Sequence, residues 1–256
     1  MKDDLKSFLD SRVEQYNVPE FVADDPVQFP RRFSDKRDIE IAALLISSIS
    51  WGKRPMILRN SDKLLAMLGN DPYAFVASGD FSSIPEGNIH RTFFSRHLLY
   101  VLNGLRSLYS RYGSVEDFAR AVGAPASEAP AWTLAAALSG YIAEANRSCG
   151  YTLDGPDRFL PSKPDSSALK RLNMALRWLV RNDGIVDIGC WSALKPSQLF
   201  IPLDVHVGNV SRSLGLLSRT QNDRRAVDEL TAALRTFRPD DPVAYDFALF
   251  GSGVTN

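Results

Sequence analysis

Apolar positions along the chain recur with the three-to-four residue spacing of helices, and sustained alternation of the kind seen in strands is poor. This pattern predicts an all-α protein of about ten helices. The predicted helices cover residues 2–17, 35–50, 55–68, 71–75, 95–112, 114–122, 130–147, 168–181, 204–214, 223–236 and 241–250.

Capping residues support several of the predicted helix starts. Ser34 or Asp35 precedes the second helix, and Ser166 and Ser167 precede the helix that begins at about residue 168. The second helix is apolar nearly all round, so we expect it at the centre of a helical bundle.

The domain organisation predicted from the sequence is a single unit over residues 1–256 with two lobes. A loop rich in Gly, Pro and Asp at 149–165 separates the lobes, which cover approximately 35–148 and 149–256, with residues 1–34 in addition. No internal repeat or long linker interrupts the chain.

Composition narrows the class of protein. Hydrophobic residues make up 45% and charged residues 23% of the chain, which excludes a disordered or fibrous protein. The longest apolar runs stay well below the roughly 18 residues that a membrane helix needs. Residues 1–10 are charged and carry no apolar signal region, so we expect a cytoplasmic protein without membrane association.

The formal net charge of zero counts against a nucleic-acid binder, although a basic face balanced by an acidic face elsewhere gives the same total. Cys149 and Cys190 are too few for an iron–sulfur cluster and are interpreted as buried small apolar residues. His90, His97 and His206 are scattered, so the sequence predicts no metal site and no cofactor.

The most informative segment is Ile-Pro-Leu-Asp-Val-His-Val at residues 201–207, in which an apolar stretch leads into a helix headed by Asp204. A carboxylate at this position lies near unsatisfied backbone N–H groups and the positive end of the helix dipole, so it stays ionised in a fixed place. The alternative is that Asp204 serves only as a helix cap.

Residues 202–216, with Leu-Gly-Leu at their end, are followed about thirty residues later by Tyr-Asp-Phe-Ala-Leu-Phe-Gly at 245–251. This arrangement resembles the second half of the helix-hairpin-helix base-excision DNA glycosylases, and is closest to the archaeal 8-oxoguanine DNA glycosylase branch. Residues 39–58 are similar to the early buried helix of that superfamily and to its following loop. The chain as a whole also resembles a bacterial family of conserved hypothetical proteins.

The resemblance implies a two-lobed glycosylase-like fold, with Asp204 as the essential carboxylate. The Leu-Pro-Gly-Val-Gly turn of the superfamily hairpin is missing, and the best match runs through 130–147, 149–165 and 168–181. Lys170 then occupies the position of the lysine that attacks the sugar, with a surface cation as the alternative. In the archaeal branch an acid and an aromatic residue on the last helix contact the base, which implies the same role for Asp246 and Phe250.

Further residues are implied in DNA binding. Trp51 falls at the position of the intercalating loop, where it would wedge or stack in the base pocket, and the alternative is a core residue. Lys53, Arg54 and Arg171 would meet phosphate, and His206 occupies a position where the superfamily carries histidine.

Arg171, Arg177 and Arg181 recur along one predicted helix, which indicates either a face that contacts the DNA backbone or a solvated face. The polar cluster His-Arg-Thr-Phe at residues 90–93 has no role in this scheme.

The sequence and its resemblance together predict a monomeric DNA glycosylase, with abasic-site lyase activity, that excises a damaged base from double-stranded DNA in base-excision repair. An oxidised purine is the first expectation for the base. The alternatives are a non-catalytic nucleic-acid-binding protein on the same scaffold and a helical interaction protein that binds no nucleic acid.

Overall fold

A computed structural model describes residues 2–254 of the chain. This part is mostly helical, which confirms the all-α prediction at the level of fold class. Its twelve α-helices are α1 (Lys2–Tyr16), α2 (Pro19–Ala23), α3 (Lys36–Ile49), α4 (Arg54–Met67), α5 (Pro72–Ser78), α6 (Ser95–Tyr112), α7 (Val115–Ala121), α8 (Pro130–Ser148), α9 (Lys170–Val180), α10 (Val205–Ser213), α11 (Arg224–Arg235) and α12 (Tyr245–Val254).

Side-chain caps fix several helix starts where the sequence predicted them. The carboxylate of Asp35 accepts from the backbone N–H of Arg37 at 2.8 Å at the start of α3. The hydroxyl of Ser114 accepts from the N–H of Asp117 at 2.9 Å at the start of α7. Each cap satisfies a backbone donor that the helix itself leaves without a partner.

Contacts between residues divide the chain into two compact units. One unit comprises residues 24–162, and the other comprises residues 1–23 together with 163–256. The sequence placed the division near residue 148 and treated the first residues as an addition, whereas in the structure the first 23 residues belong with the C-terminal unit.

The 24–162 unit is built around α3. Every residue from Ile39 to Ile49 is buried, as the all-round apolar pattern predicted. Helices α6 and α8 pack against each other at Gly104, where an added Cβ would lie 2.6 Å from the side chain of Ile142. Glycine at this position allows the two helices to approach closely.

The same unit contains a small antiparallel hairpin that the sequence pattern did not predict. Strands β1 (Asn88–His90) and β2 (Phe93–Phe94) pair across a two-residue turn. The hairpin accounts for the 90–93 cluster, and Arg91 in its turn takes a left-handed backbone conformation with φ of 51°. The strands are too short for alternation to be visible in the sequence.

In the unit formed by 1–23 and 163–256, helices α1 and α10 pack on α12. The ring of Phe21 makes edge contacts with Phe247 and Phe250 of α12, at centroid distances of 5.3 and 6.5 Å. No helix within the described residues has the length and apolar character needed to cross a membrane.

Candidate active site

The segment that carries Asp204 has the local structure that its sequence predicted. Ile201 and Leu203 are buried and anchor the approach to α10, and Asp204 caps that helix by accepting from the N–H of Val207 at 3.0 Å. The side-chain amide of Asn222 donates to the backbone carbonyl of Asp204 at 3.0 Å. Asp204 is partly exposed, and hydrogen bonds fix both its carboxylate and its backbone carbonyl.

Lys170 is the first residue of α9, and the residue before it is backbone-strained. Leu169 is buried in a left-handed conformation with φ of 47°, which costs an L-residue about 1–2 kcal/mol. The predicted cap by Ser166 or Ser167 is wrong, because the hydroxyl of Ser167 instead accepts from the N–H of Leu169 at 3.2 Å. The Nζ of Lys170 lies 3.5 Å from the sulfur of Met174.

Asp246 lies in the first turn of α12 and is 6% exposed. Burial raises the pKa of its carboxyl to about 6, against the lowering effect of Arg177, with which it forms an ion pair. The negative charge of Asp204 raises this pKa further and the positive charge of Lys170 lowers it. The charges of Lys170 and Asp204 therefore both reach the buried carboxyl of Asp246.

Two of the three arginines that recur along α9 belong to the core, so neither a DNA-contacting face nor a solvated face is correct for them. Arg177 and Arg181 are 3% and 4% exposed. Arg177 donates from Nε to Asp187 at 3.2 Å, and Arg181 donates from Nε to Asp241 at 2.9 Å. Both also lie over the ring of Phe247, at 4.5 and 5.6 Å from its centroid.

This buried network was missed at the level of the sequence because its members are far apart in the chain. Asp187 follows Arg177 by ten residues, between the helices predicted at 168–181 and 204–214, and Asp246 follows it by 69. Burial also raises the pKa of Asp187, against the opposing effect of the two arginines. The one available signal was the apolar setting of Arg177, between Leu176 and Trp178.

The other residues predicted for this unit are on its surface or partly exposed. Phe250 is one helical turn after Asp246 on α12 and is partly exposed. His206 is exposed in the first turn of α10, and Arg171 is partly exposed in the first turn of α9. Their proposed contacts with DNA stay predictions.

The connection between α3 and α4, in the 24–162 unit, holds three more of the predicted residues, Trp51, Lys53 and Arg54. Trp51 is partly exposed, so it is not a core residue. Its carbonyl accepts from the Nε2–H of His90 at 2.8 Å, and its ring meets the His90 ring edge-on at 5.6 Å. Lys53 is exposed at the cap position of α4, and Arg54 begins the helix.

Neither cysteine of the chain is buried. Cys149 is exposed and Cys190 is partly exposed, so the interpretation of both as buried apolar residues is wrong. Among the described residues, no group of three or more His, Cys, Asp or Glu side chains could hold a metal ion.

Comparison with known proteins gives a family and no closer relative. No curated protein matches the chain, and no solved structure matches it. A family described as a protein of unknown function, DUF2400, matches residues 25–255, which is most of the sequence. The chain therefore belongs to the DUF2400 family.

Proposed function

We propose that this protein is a DNA glycosylase with abasic-site lyase activity, acting as a cytoplasmic monomer on a damaged base in double-stranded DNA. The observation that carries the proposal is the convergence of Lys170, Asp204 and Asp246. Each lies at the N-terminal end of a different helix, and the charges of the first two both act on the buried third.

The proposed chemistry uses a carboxylate to stabilise positive charge on the deoxyribose. As the bond from C1′ to the base lengthens, the sugar gains cationic character, and the fixed carboxylate of Asp204 would stabilise it. Capping at the helix N-terminus keeps this carboxylate in one orientation without tying down both of its oxygens in ion pairs.

Lys170 would act as the nucleophile in its neutral form. Its lone pair forms the bond to C1′ while the base leaves with the electrons of the glycosidic bond and takes up a proton. The attached nitrogen then loses a proton, and its lone pair forms the C=N bond as the C1′–O bond of the ring breaks. The ring oxygen keeps the electrons of that bond and takes up a proton to become a hydroxyl, which leaves a Schiff base. The thioether of Met174 beside Nζ supports this role, because it is a weak partner that does not hold the amine as an ion pair.

Asp246 and Phe250 would contact the extruded base. They are four residues apart on α12 and so share one face of the helix. An aromatic ring offers a stacking surface, and a carboxyl group can accept or donate a hydrogen bond at the edge of the base, depending on its proton. A pKa of about 6 makes both protonation states of Asp246 accessible near neutral pH.

The helix-hairpin-helix arrangement belongs to the same proposal. It rests on the resemblance alone, in which Lys170, the first residue of α9, would begin the second helix of the hairpin. An oxidised purine is the proposed base on the strength of the resemblance to the archaeal branch.

The experiment is borohydride trapping with duplexes that contain 8-oxoguanine, uracil, hypoxanthine or an abasic site. A covalent adduct is expected with the unmodified chain and with Lys163→Gln, an exposed lysine of the same unit. The adduct is expected to disappear with Lys170→Gln, and base release is expected to fall by several orders of magnitude with Asp204→Asn.

Each other result changes the conclusion in a defined way. Base release without an adduct would remove Lys170 from the mechanism and leave a monofunctional glycosylase. The absence of product and adduct on every duplex would overturn the proposal. The second candidate is a non-catalytic nucleic-acid binder. It is favoured by the hydrogen bond with which Asp204 caps α10, because this structural role explains the aspartate without any catalysis.

A further inference from the structure

The surface around Trp51 concentrates positive charge. Residues 51–61 and 87–98 hold five lysine and arginine side chains and no aspartate or glutamate, in a chain whose formal charge is zero. Helix α4 and strand β1 bring the two segments into contact. Their cations are Lys53, Arg54, Arg59, Arg91 and Arg96. We call the exposed part of these two segments the Trp51 surface.

Flat side chains are stacked in pairs on this surface. The guanidinium of Arg91 lies over the indole of Trp51, 4.4 Å from the ring centroid, and that of Arg96 lies over the ring of Phe94 at 4.6 Å. Both arginines are exposed and both rings are partly exposed. None of the acidic side chains within the described residues pairs with either arginine.

A buried histidine holds the pair formed by Trp51 and Arg91 in position. His90 donates from Nε2 to the Trp51 carbonyl and accepts at Nδ1 from the side-chain amide of Asn60 at 3.0 Å. Burial lowers the pKa of His90, so the ring remains neutral and keeps both hydrogen bonds. The hydrogen bond from His90 to Trp51 therefore connects the hairpin to the loop after α3.

Gly52 lets the arginine come this close to the loop. An added Cβ at Gly52 would lie 2.8 Å from Nη1 of Arg91, and the glycine has a φ of 105°. The left-handed conformation of Arg91 turns its side chain back over the indole, at a cost in backbone strain. Strain of this kind persists where the surrounding contacts fix it, as His90 and Gly52 do here.

We propose that the Trp51 surface binds an unpaired stretch of single-stranded DNA. Aromatic rings and guanidinium planes stack on the faces of bases, and these faces are accessible when the strand is unpaired. The lysine and arginine side chains around them would contact the phosphates. This site goes beyond the excision chemistry, and it rests on the proposed function only in taking DNA as the ligand.

The test uses the intrinsic fluorescence of the full chain. Trp132, Trp178 and Trp191 are 2%, 0% and 4% exposed, so Trp51 is the indole that a ligand in solution can reach. Titration with an undamaged thymidine oligonucleotide of about 15 nucleotides should quench the fluorescence. The affinity should fall steeply with salt, and a duplex of the same length should quench less.

Two substitutions separate stacking at this site from general charge. Arg91→Ala should weaken binding about tenfold or more, and Arg91→Lys should recover only part of the loss because it restores charge without a flat group. Arg111→Ala is the matched control, since Arg111 is an exposed arginine over the ring of Tyr112 in the same unit. It should leave the affinity unchanged.

Three results would overturn the inference. They are the absence of quenching, equal binding of a strand that carries phosphates and sugars without bases, and equal loss with Arg91→Ala and Arg111→Ala. Thermal unfolding of Arg91→Ala checks that the fold is intact. Because the oligonucleotide has no lesion, this outcome is independent of whether Lys170 and Asp204 catalyse base excision.

Discussion

Arg177 and Asp246 form an ion pair in which both side chains are almost completely removed from solvent. Arg177 also binds Asp187, which is itself fully buried among these charges. A buried charge of this kind is tolerated because its partners remain in place. Removal of Arg177 would leave Asp246 without its ion-pair partner and Asp187 with Arg181 alone.

Replacing Arg177 by methionine should therefore lower the free energy of unfolding by about 3–5 kcal/mol, because Asp187 and Asp246 lose their shared cation. Urea denaturation measures this change. Arg225→Met is the control, since Arg225 is exposed on α11 and its loss should change stability by less than about 0.5 kcal/mol. Equal effects of the two substitutions would show that the buried network adds nothing.

The raised pKa of Asp246 predicts a pH dependence of stability. The folded chain holds this proton up to a pH of about 6, whereas the unfolded chain releases it near pH 3.8. The free energy of unfolding therefore falls as the pH rises from about 3.8 to about 6. Asp246→Asn cannot titrate, so it should abolish this pH dependence, which amounts to about 3 kcal/mol between the low-pH and high-pH limits.

Denaturation of both proteins at several pH values from about 4 to about 7.5 measures the effect. The stability of Asp246→Asn relative to the unmodified chain should rise from the lowest pH to a pH of about 6 and stay level above it. A constant difference between the two proteins would mean that the carboxyl titrates normally in the folded state.

The sequence predicted the helices well and the charge network poorly, for a physical reason. A helix start such as Asp35 or Ser114 depends on neighbours two or three residues away, which the sequence places side by side. The pairing of Arg177 with Asp246 depends on how α9 and α12 pack, which local pattern does not reveal. The left-handed Leu169 was likewise hidden, because leucine rarely takes that conformation.

The same distinction applies to the candidate site, where local features could be predicted from the sequence and contacts between distant residues could not. The position of Asp204 at the head of α10 could be predicted from the residues around it. Its electrostatic coupling to Asp246 became visible only once the helices were packed. The stacked Arg91 was unexpected because the hairpin that presents it is only a few residues long.

Two helical glycines should respond in opposite directions to alanine. Gly104→Ala would bring a Cβ within 2.6 Å of Ile142 and should destabilise the chain by about 1–3 kcal/mol. Gly140→Ala, on the exposed face of α8 with nothing within 4 Å, should stabilise it by about 0.5–1 kcal/mol.

Thermal unfolding of both variants makes the comparison. Adding Ile142→Val to Gly104→Ala should recover part of the loss, because the smaller side chain makes room for the methyl group. A neutral result for Gly104→Ala would show that α6 and α8 can separate without cost.

Glu40 is expected to be important for the start of α7. Its carboxylate is fully buried and accepts from the N–H groups of Val115 and Glu116, at 2.9 and 3.0 Å, and from the hydroxyl of Tyr109 at 2.9 Å. Glu40→Gln turns one acceptor into a donor that faces other donors, which should cost about 1–3 kcal/mol.

Chemical denaturation of Glu40→Gln, with the exposed Glu128→Gln as its control, measures this contribution. Tyr109→Phe removes a single hydrogen bond and should cost about 1 kcal/mol. A loss with Glu40→Gln no larger than that with Glu128→Gln would contradict the capping role.

The division of the chain has a consequence for how the protein is made. Residues 24–162 form a continuous unit, which is complete as soon as the ribosome has released residue 162. Helix α1 is synthesised before this unit, but its packing partner α12 is synthesised after it. The apolar face of α1 therefore stays uncovered until α12 has emerged from the ribosome.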